Sequence, residues 1–432
     1  MFQTLRRINW RAFVRPWENL DWWLLGGVTA LTMLGGIMIY SIQLKQETND
    51  WIQHLGVGCI GLILVFLISW IRYDLLLRWR WGIYVAINIG LLLVKFIGTV
   101  ELGARRWINI FGFHLQPSEF AKLGIIITLA ALLHERPAHT LPAMFRAIAV
   151  VSLPWILIFL EPNLGTSLIF GAILLGMLYW ANANPGWLVL MLSPVVAAIL
   201  LNAAPSALKN INPTLEPVGV GLWGLWVIVM GFVAFRCLPW KKWGTIAVMV
   251  VNLISGILGN WLWSNILQEY QRKRVTMFIN PDQDPMGGGY HLIQSRIAIG
   301  AGELTGRGIT HGTQTQLSFI PEQHTDFIFA AVGEELGFLG CLAVLLTFLL
   351  ICFRLLVIAQ NARDDFGSLI AVGVFSMLVF QTVVNIGMTM NLSPVTGIPL
   401  PYLSYGKSAL LMNFLAIGVV QAVANHRQRS RF

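Results

Sequence analysis

Apolar runs long enough to cross a lipid bilayer fill most of this sequence. They fall at 22–43, 54–72, 80–98, 117–134, 144–160, 164–183, 187–204, 218–236, 244–266, 327–353, 367–390 and 406–424. Each is about 17–25 residues long, and a hydrocarbon core about 30 Å thick needs about 20 residues of helix. No water is present at that depth, so only helices or closed barrels satisfy every backbone N–H and C=O. Barrel strands would read as alternating segments of about 10 residues, and these runs do not alternate. The pattern predicts an all-α polytopic membrane protein of about twelve transmembrane helices, with the whole chain, 1–432, as one integral membrane domain. Composition agrees: 11% of residues are charged, against about 25% in a soluble domain.

An even number of spans puts both termini on one side, and the basic residues say which. One set of loops, with the termini, carries Arg6 to Arg15, Arg72 to Arg80, Arg136, Arg146, Arg236 to Lys242, Arg354, Arg363 and Arg427 to Arg431. The short loops opposite hold few cations: Lys45, Arg105, Arg106 and Lys209. Both termini are therefore expected in the cytoplasm, and the longer polar loop 267–326 on the extracytoplasmic side. This topology accounts for the net charge of +9. The basic residues form no single stripe, so no nucleic-acid partner is implied. The N-terminus has arginines but no short apolar core followed by a small-residue cleavage site, which predicts a retained anchor. The four cysteines show no paired spacing for disulfides or zinc. The 18 tryptophans cluster near span ends, as an aromatic belt does. Prolines and asparagines predict a loop over 205–217, and 237–243 reads as a tight cytoplasmic turn.

The polar residues that remain are concentrated on the outer side. Arg105 and Arg106 follow the third span. Gln116-Pro117-Ser118-Glu119 opens the fourth, with Pro117 suited to a first helical turn. Glu119 and Lys122 are three apart and share a helix face. Charges just inside a membrane helix are costly and usually face an internal cavity, although an interfacial ion pair would use the same residues. In the long loop, Asp284 precedes Pro285 and a run of glycines, where the backbone can bring a carboxylate close to a ligand. Asp282 is a rival, and an Asx-type turn would also fit. Gln294, Ser295 and Arg296 lie further along the loop. Glu322, His324 and Asp326 lead into the tenth span, with Glu334 and Glu335 about two turns deeper; their spacing matches no zinc or calcium pattern. Glu334 and Glu335 are expected to hydrogen-bond across helices or pair with basic residues. Finally, Pro394 to Ser408, including Lys407, is irregular and proline-rich, which membrane depth tolerates only inside protein or beside a cavity.

At these residues the chain resembles the SEDS family of cell-wall polymerases. The matching blocks are Gly103-Ala-Arg-Arg-Trp-Ile, Gln116-Pro-Ser-Glu-Phe-Ala-Lys, Tyr270-Gln-Arg-Lys-Arg-Val, Asp284-Pro-Met-Gly-Gly-Gly-Tyr, His324-Thr-Asp-Phe-Ile-Phe-Ala and Pro399-Leu-Pro-Tyr-Leu-Ser-Tyr-Gly. They occur in family order, and His311-Gly-Thr-Gln-Thr-Gln-Leu is similar to the elongation branch rather than the division branch. The resemblance implies a peptidoglycan glycosyltransferase in the bacterial cytoplasmic membrane that polymerises lipid II into glycan strands at its outer face. It carries the proposed catalytic aspartate onto Asp284, and the cavity residues onto Arg106, Glu119 and Lys122. A class B penicillin-binding protein, a transpeptidase, is the implied partner within the elongation complex.

Three departures stand out. The family commonly has ten spans, whereas segments 187–204, 218–236 and 244–266 occupy the place of one here, which predicts an inserted transmembrane hairpin within 187–243. The usual Gln-Pro-Asp-Leu-Gly reads Glu161-Pro-Asn163-Leu-Gly, moving the carboxylate two positions. The usual Ser-Tyr-Gly-Gly-Ser reads Ser404-Tyr-Gly-Lys407-Ser.

The implied reaction joins a sugar hydroxyl to an anomeric carbon bearing a lipid pyrophosphate. Inversion needs one base for the hydroxyl proton, expected to be Asp284. The departing pyrophosphate needs positive charge, expected from Arg106, Lys122 and Arg105, with Arg296 a further candidate. Gln294, Ser295, His324 and Lys407 complete the expected substrate-binding set. No cofactor is required, although a divalent cation (Mg or Mn) carried by the substrate phosphates would fit. Two other classes share these features: a lipid II flippase and a non-catalytic scaffold of the wall-synthesis complex.

Overall fold

The computed structural model describes residues 19–44, 49–101, 104–110, 113–161, 163–211, 214, 216–265, 272, 278, 289–317 and 319–426. Asp282 and Asp284 lie outside these residues, as does most of 267–288. Among the described residues, eleven helices are long and apolar enough to cross a membrane, and Gly165–Trp180 is a shorter apolar helix. These twelve coincide with the twelve apolar runs. In chain order the helices are α1 (Trp22–Gln43), α2 (Asp50–Trp70), α3 (Asp74–Ile97), α4 (Pro117–Glu135), α5 (Leu141–Leu160), α6 (Leu164–Trp180), α7 (Pro185–Ile211), α8 (Glu216–Cys237) and α9 (Lys241–Asn265). They continue with two short helices, α10 (Tyr290–Ala301) and α11 (Thr313–Gln316), and end with α12 (Ile328–Gln360), α13 (Asp365–Thr389) and α14 (Lys407–Asn425).

The chain forms two compact units. The first comprises Met1–Arg136, Phe145–Met177 and His291–Phe432. In it α14 lies along α2 at close range, because Gly61 leaves room for Phe414: a Cβ at 61 would fall 2.4 Å from the phenyl ring. At one end of this unit Asp21 joins three helices. Its carboxylate caps α1 by accepting from Leu24 N–H (3.0 Å), and it takes Arg354 Nε and Nη2 of α12 in a fork. Its backbone exchanges two hydrogen bonds with the Gln421 amide of α14, both 2.9 Å. Arg80 pairs with Glu135 at the same end, joining α3 to α4. Exposed Trp22, Trp23, Trp70, Trp79 and Trp81 stand near helix ends, as interfacial aromatics do.

The opposite end departs from the all-α expectation in one place. Between α3 and α4 the chain forms a small antiparallel sheet of β1 (Thr99–Glu101), β2 (Ala104–Ile110) and β3 (Phe113–Leu115). Helix α12 is also interrupted, at Gly337 (φ 66°, ψ −163°). The backbone groups freed there are taken up by the loop after α10. Phe338 N–H donates to Glu303 O (2.9 Å) and Leu339 N–H to Leu304 O (3.1 Å), while Arg307 and Gly308 N–H donate to the carbonyls of Glu334 and Glu335, both 3.0 Å. Gly306 makes this approach feasible, since a Cβ there would sit 2.2 Å from Glu335 O. A membrane helix can break only where protein satisfies its backbone in this way.

The second unit comprises Pro137–Met144 and Leu178–Tyr290. Helices α7, α8 and α9 pack on one another within it. Buried Asn252 of α9 donates to Ser193 Oγ of α7 (2.9 Å), and Asn202 of α7 donates to Gly256 O of α9 (3.1 Å). Trp226 Nε1 of α8 reaches Ser193 O (3.2 Å). Polar groups bonded across helices in this way hold a membrane bundle in register. The loop expected over 205–217 is corrected: α7 runs through Pro194 and Pro205 to Ile211. Neighbouring helices tolerate proline in a membrane helix more readily than a water-exposed helix does.

Candidate functional site

The strands of the sheet alternate their side chains between faces, so the neighbouring Arg105 and Arg106 diverge. Arg105 is exposed and Arg106 is half-buried. Arg106 Nε donates to the backbone carbonyl of Glu161, 3.2 Å away, at the end of α5. Glu161 is 9% exposed, and both of its carboxyl oxygens are buried without a hydrogen-bond partner. Burial pushes it up from 4.5 to about 8, with Arg106 pulling in the other direction. Asn163, two residues on, caps α6: its Oδ1 accepts from Thr166 N–H (3.3 Å). The Asp-to-Asn departure therefore keeps a good cap residue.

Helix α4 begins at Pro117, the proline supplying a fixed φ where no helical N–H partner is needed. One turn in, Lys122 Nζ and Glu119 Oε2 form an ion pair of 2.7 Å, and Lys122 is 0% exposed. Both charges are thus removed from solvent with each other as partner. The start of α4 is joined to the start of α14: Gln116 N–H donates to Ser408 Oγ (3.1 Å), whose hydroxyl donates to His114 O (2.7 Å). Lys407, half-buried, is the first residue of α14.

The irregular segment before α14 is held by side chains of its surroundings. Asn385 Nδ2 donates to Ile398 O (2.8 Å) and Asp326 O (3.0 Å), and Ser404 Oγ accepts from Leu400 N–H (2.9 Å). Tyr402 takes φ 64° and is buried, with its hydroxyl on Asn413 O (3.2 Å). Such strain persists only where surrounding structure enforces it. Tyr405 N–H donates to His324 O (2.9 Å), and the two rings are 5.6 Å apart.

The remaining residues expected to touch substrate are placed as follows. Ser295 is buried and its hydroxyl donates to Thr389 O (2.7 Å), fastening α10 to the end of α13. Gln294 is half-buried and Arg296 exposed on α10. Asp284 lies outside the described residues, so the geometry unites Arg106 with Glu161, Glu119 with Lys122, and the α4 start with the α14 start. Glu334 and Glu335 do hydrogen-bond across elements. Glu334 accepts from Gln314 and Thr315 N–H (both 2.8 Å) and from the Thr315 hydroxyl (2.6 Å) at the start of α11; Glu335 accepts from Ser41 Oγ of α1 (2.6 Å). Among the described residues no group of three His, Cys, Asp or Glu side chains is arranged to hold a metal ion. Sequence reading gave Glu161 no role; its only signal there was a carboxylate displaced by two positions.

A bundle of membrane helices with a buried Glu119–Lys122 pair and a buried Glu161 carboxyl defines a polytopic membrane protein with an internal polar site. The chain belongs to the FtsW, RodA and SpoVE family of cell cycle proteins, the SEDS family, whose profile matches residues 22–213 and 219–429. It is 32% identical over 411 residues to the peptidoglycan glycosyltransferase MrdB of Escherichia coli K12, covering 95% of each chain. It is 33% identical to the peptidoglycan glycosyltransferase RodA of Treponema pallidum, covering 96% of this chain and 99% of that one. A chain from a solved peptidoglycan synthase complex that coordinates polymerization and crosslinking shares the fold. Its TM-score is 0.71 at 24% identity, over 96% of this chain and 100% of that one.

Proposed function

We propose that this protein is a peptidoglycan glycosyltransferase that polymerises lipid II into glycan strands at the outer face of the cytoplasmic membrane during cell elongation. The observation that carries this reading is the end-to-end match to curated relatives that bear the activity in their names. The site is chemically suited to it. Transfer from a lipid pyrophosphate requires one base and stabilisation of a departing anion. Asp284 is the base in this reading. Arg106, with Arg105 beside it and Lys122 deeper in α4, supplies positive charge. Glu119 pairs with Lys122 and fixes its position. Lys407, at the start of α14, adds a cation where a helix N-terminus already favours anions.

A Mg or Mn ion would travel with the pyrophosphate, held mainly by phosphate oxygens and water. The crosslinking partner is a class B penicillin-binding protein, a reading supported by the fold neighbour's membership of a polymerising and crosslinking complex. Helices α7 to α9, where the family pattern implies one span, include an added hairpin that leaves the polar loop outside. The test is gel electrophoresis of lipid II incubated with the purified protein. Long glycan strands are expected. Labelled lipid II that crosses a vesicle membrane without forming polymer would replace the enzyme with a flippase.

A further inference from the structure

Glu161 is a buried titratable group whose carboxyl finds no hydrogen-bond donor among the described residues. Its two carboxyl oxygens are enclosed and unbonded, at a cost of about 1–3 kcal/mol for a polar group left unpaired. Its own carbonyl holds the Arg106 guanidinium beside it, and that bond cancels no charge. The connection between α5 and α6 thus presents a fixed cation and an unengaged carboxyl side by side. A neutral carboxyl offers one O–H donor, whereas an ionised one offers only acceptors. A permanent ligand of Arg106 would be expected to bond it through the carboxylate, and a residue serving only to pack would not be acidic.

We propose that Glu161 is a ligand-binding residue that acts as a neutral acid, its O–H donating to a phosphate oxygen of the lipid-linked pyrophosphate that Arg106 holds. The inference rests on the reading of Arg106 as part of the pyrophosphate site. The phosphate oxygen then meets a proton donor beside the Arg106 cation, and ionising Glu161 both removes the donor and adds a repelling charge. Among the described residues, Arg106 on β2 is the charged group that acts on Glu161. Its raised proton affinity, with a value of about 8, keeps the acid neutral near pH 7.

The test uses the full-length protein in nanodiscs and farnesyl pyrophosphate as probe, with affinity measured from about pH 7 to about pH 9, the range that spans the Glu161 titration. Wild type should bind about tenfold more weakly at the upper end, because binding then requires uptake of a proton. Glu161→Gln keeps an N–H donor but cannot ionise, so its affinity should be flat with pH. Glu161→Ala should bind about tenfold more weakly than wild type near pH 7, the worth of a hydrogen bond to a charged group. The alanine variant should still unfold cooperatively on heating. A pH-independent affinity in wild type, or the wild-type slope surviving in Glu161→Gln, overturns the proposal. Lipid II polymerisation measured in parallel separates it from the wider reading. A titrating affinity without polymer leaves Glu161 in place and removes the enzyme, and polymer with a flat affinity does the reverse.

Discussion

Glu334 and Glu161 are both carboxyl groups buried in a membrane protein, and their surroundings differ. Glu334 faces the start of α11, where two backbone N–H groups and two hydroxyls converge on its oxygens. Its neighbour Glu335 takes the Ser41 hydroxyl. Every donor in that cluster comes from the fold itself, and the bonds join α1, α11 and the first half of the broken α12. Glu161 sits at the α5–α6 connection with Arg106 nearby and no donor on either oxygen. Glu334 spends both of its carboxyl oxygens on holding a helix break together. The α5–α6 connection leaves the Glu161 carboxyl unspent. Buried polar groups are nearly always satisfied by the fold when their role is structural, so the unspent Glu161 carboxyl marks where an external ligand belongs.

Asp284 should give the largest effect and tests the comparison from the side of the proposed chemistry. Asp284→Asn is expected to lower lipid II polymerisation by about 10²–10⁴-fold, the usual cost of losing a general base, while thermal unfolding stays at the wild-type temperature. A variant that polymerises normally removes Asp284 from the chemistry.

The Glu119–Lys122 pair lies between the two classes, since it is satisfied internally yet sits at the site. Lys122→Met leaves Glu119 buried without a partner, which should cost about 3–5 kcal/mol of stability. The double substitution Glu119→Leu with Lys122→Met should recover most of that stability, since apolar pairs often replace buried ion pairs without loss. If the pair also serves the pyrophosphate, polymerisation does not return with stability. Recovery of both in a double-mutant cycle would reduce the pair to a packing element.

Glu334→Ala should show the opposite signature. Removing the acceptor strands buried N–H and O–H donors at about 1–3 kcal/mol, and the cluster holds α11 against α12. Unfolding temperature should fall, and the affinity for farnesyl pyrophosphate measured in the cold should not. A selective loss of affinity with stability intact would erase the distinction between the two carboxyls.

The sequence disclosed the spans because bilayer thickness imposes a length that few other structures share. Pro117 marked a helix start because its missing N–H is harmless only in the first turn. Glu119 and Lys122, three apart, were visibly on one face. Other features depended on partners distant in sequence. The break at Gly337 is stable because residues 303–308 supply its hydrogen bonds, which α12's apolar pattern does not record. The small sheet at 99–115 is too short for strand periodicity to stand out beside a membrane helix. Pro205 read as a loop residue because local propensity cannot see the helices packed around it. Glu161 was visible as a displaced acid, but its isolation is a property of what the fold fails to place nearby.

The smallest effect concerns stability alone and isolates Glu161 without any ligand. Between its ordinary value of 4.5 and about 8, the folded protein holds a proton at Glu161 that the unfolded chain has lost. Stability should therefore decline as pH rises through that window and level off above it. His291 acts in the other direction: stacked on Phe327 and held below its ordinary 6.5 by burial, it favours folding as pH rises toward that value. The raw profile mixes the two, so the informative quantity is the difference between wild type and Glu161→Gln, in which His291 cancels. That difference should shift steadily between pH 4.5 and about 8. Farnesyl pyrophosphate should extend the shift above about pH 8, because a ligand that accepts from the acid raises its proton affinity further. A flat difference would mean that Glu161 is already ionised in the folded protein, and the contrast with Glu334 would then be one of hydrogen bonding only, without a proton held in reserve.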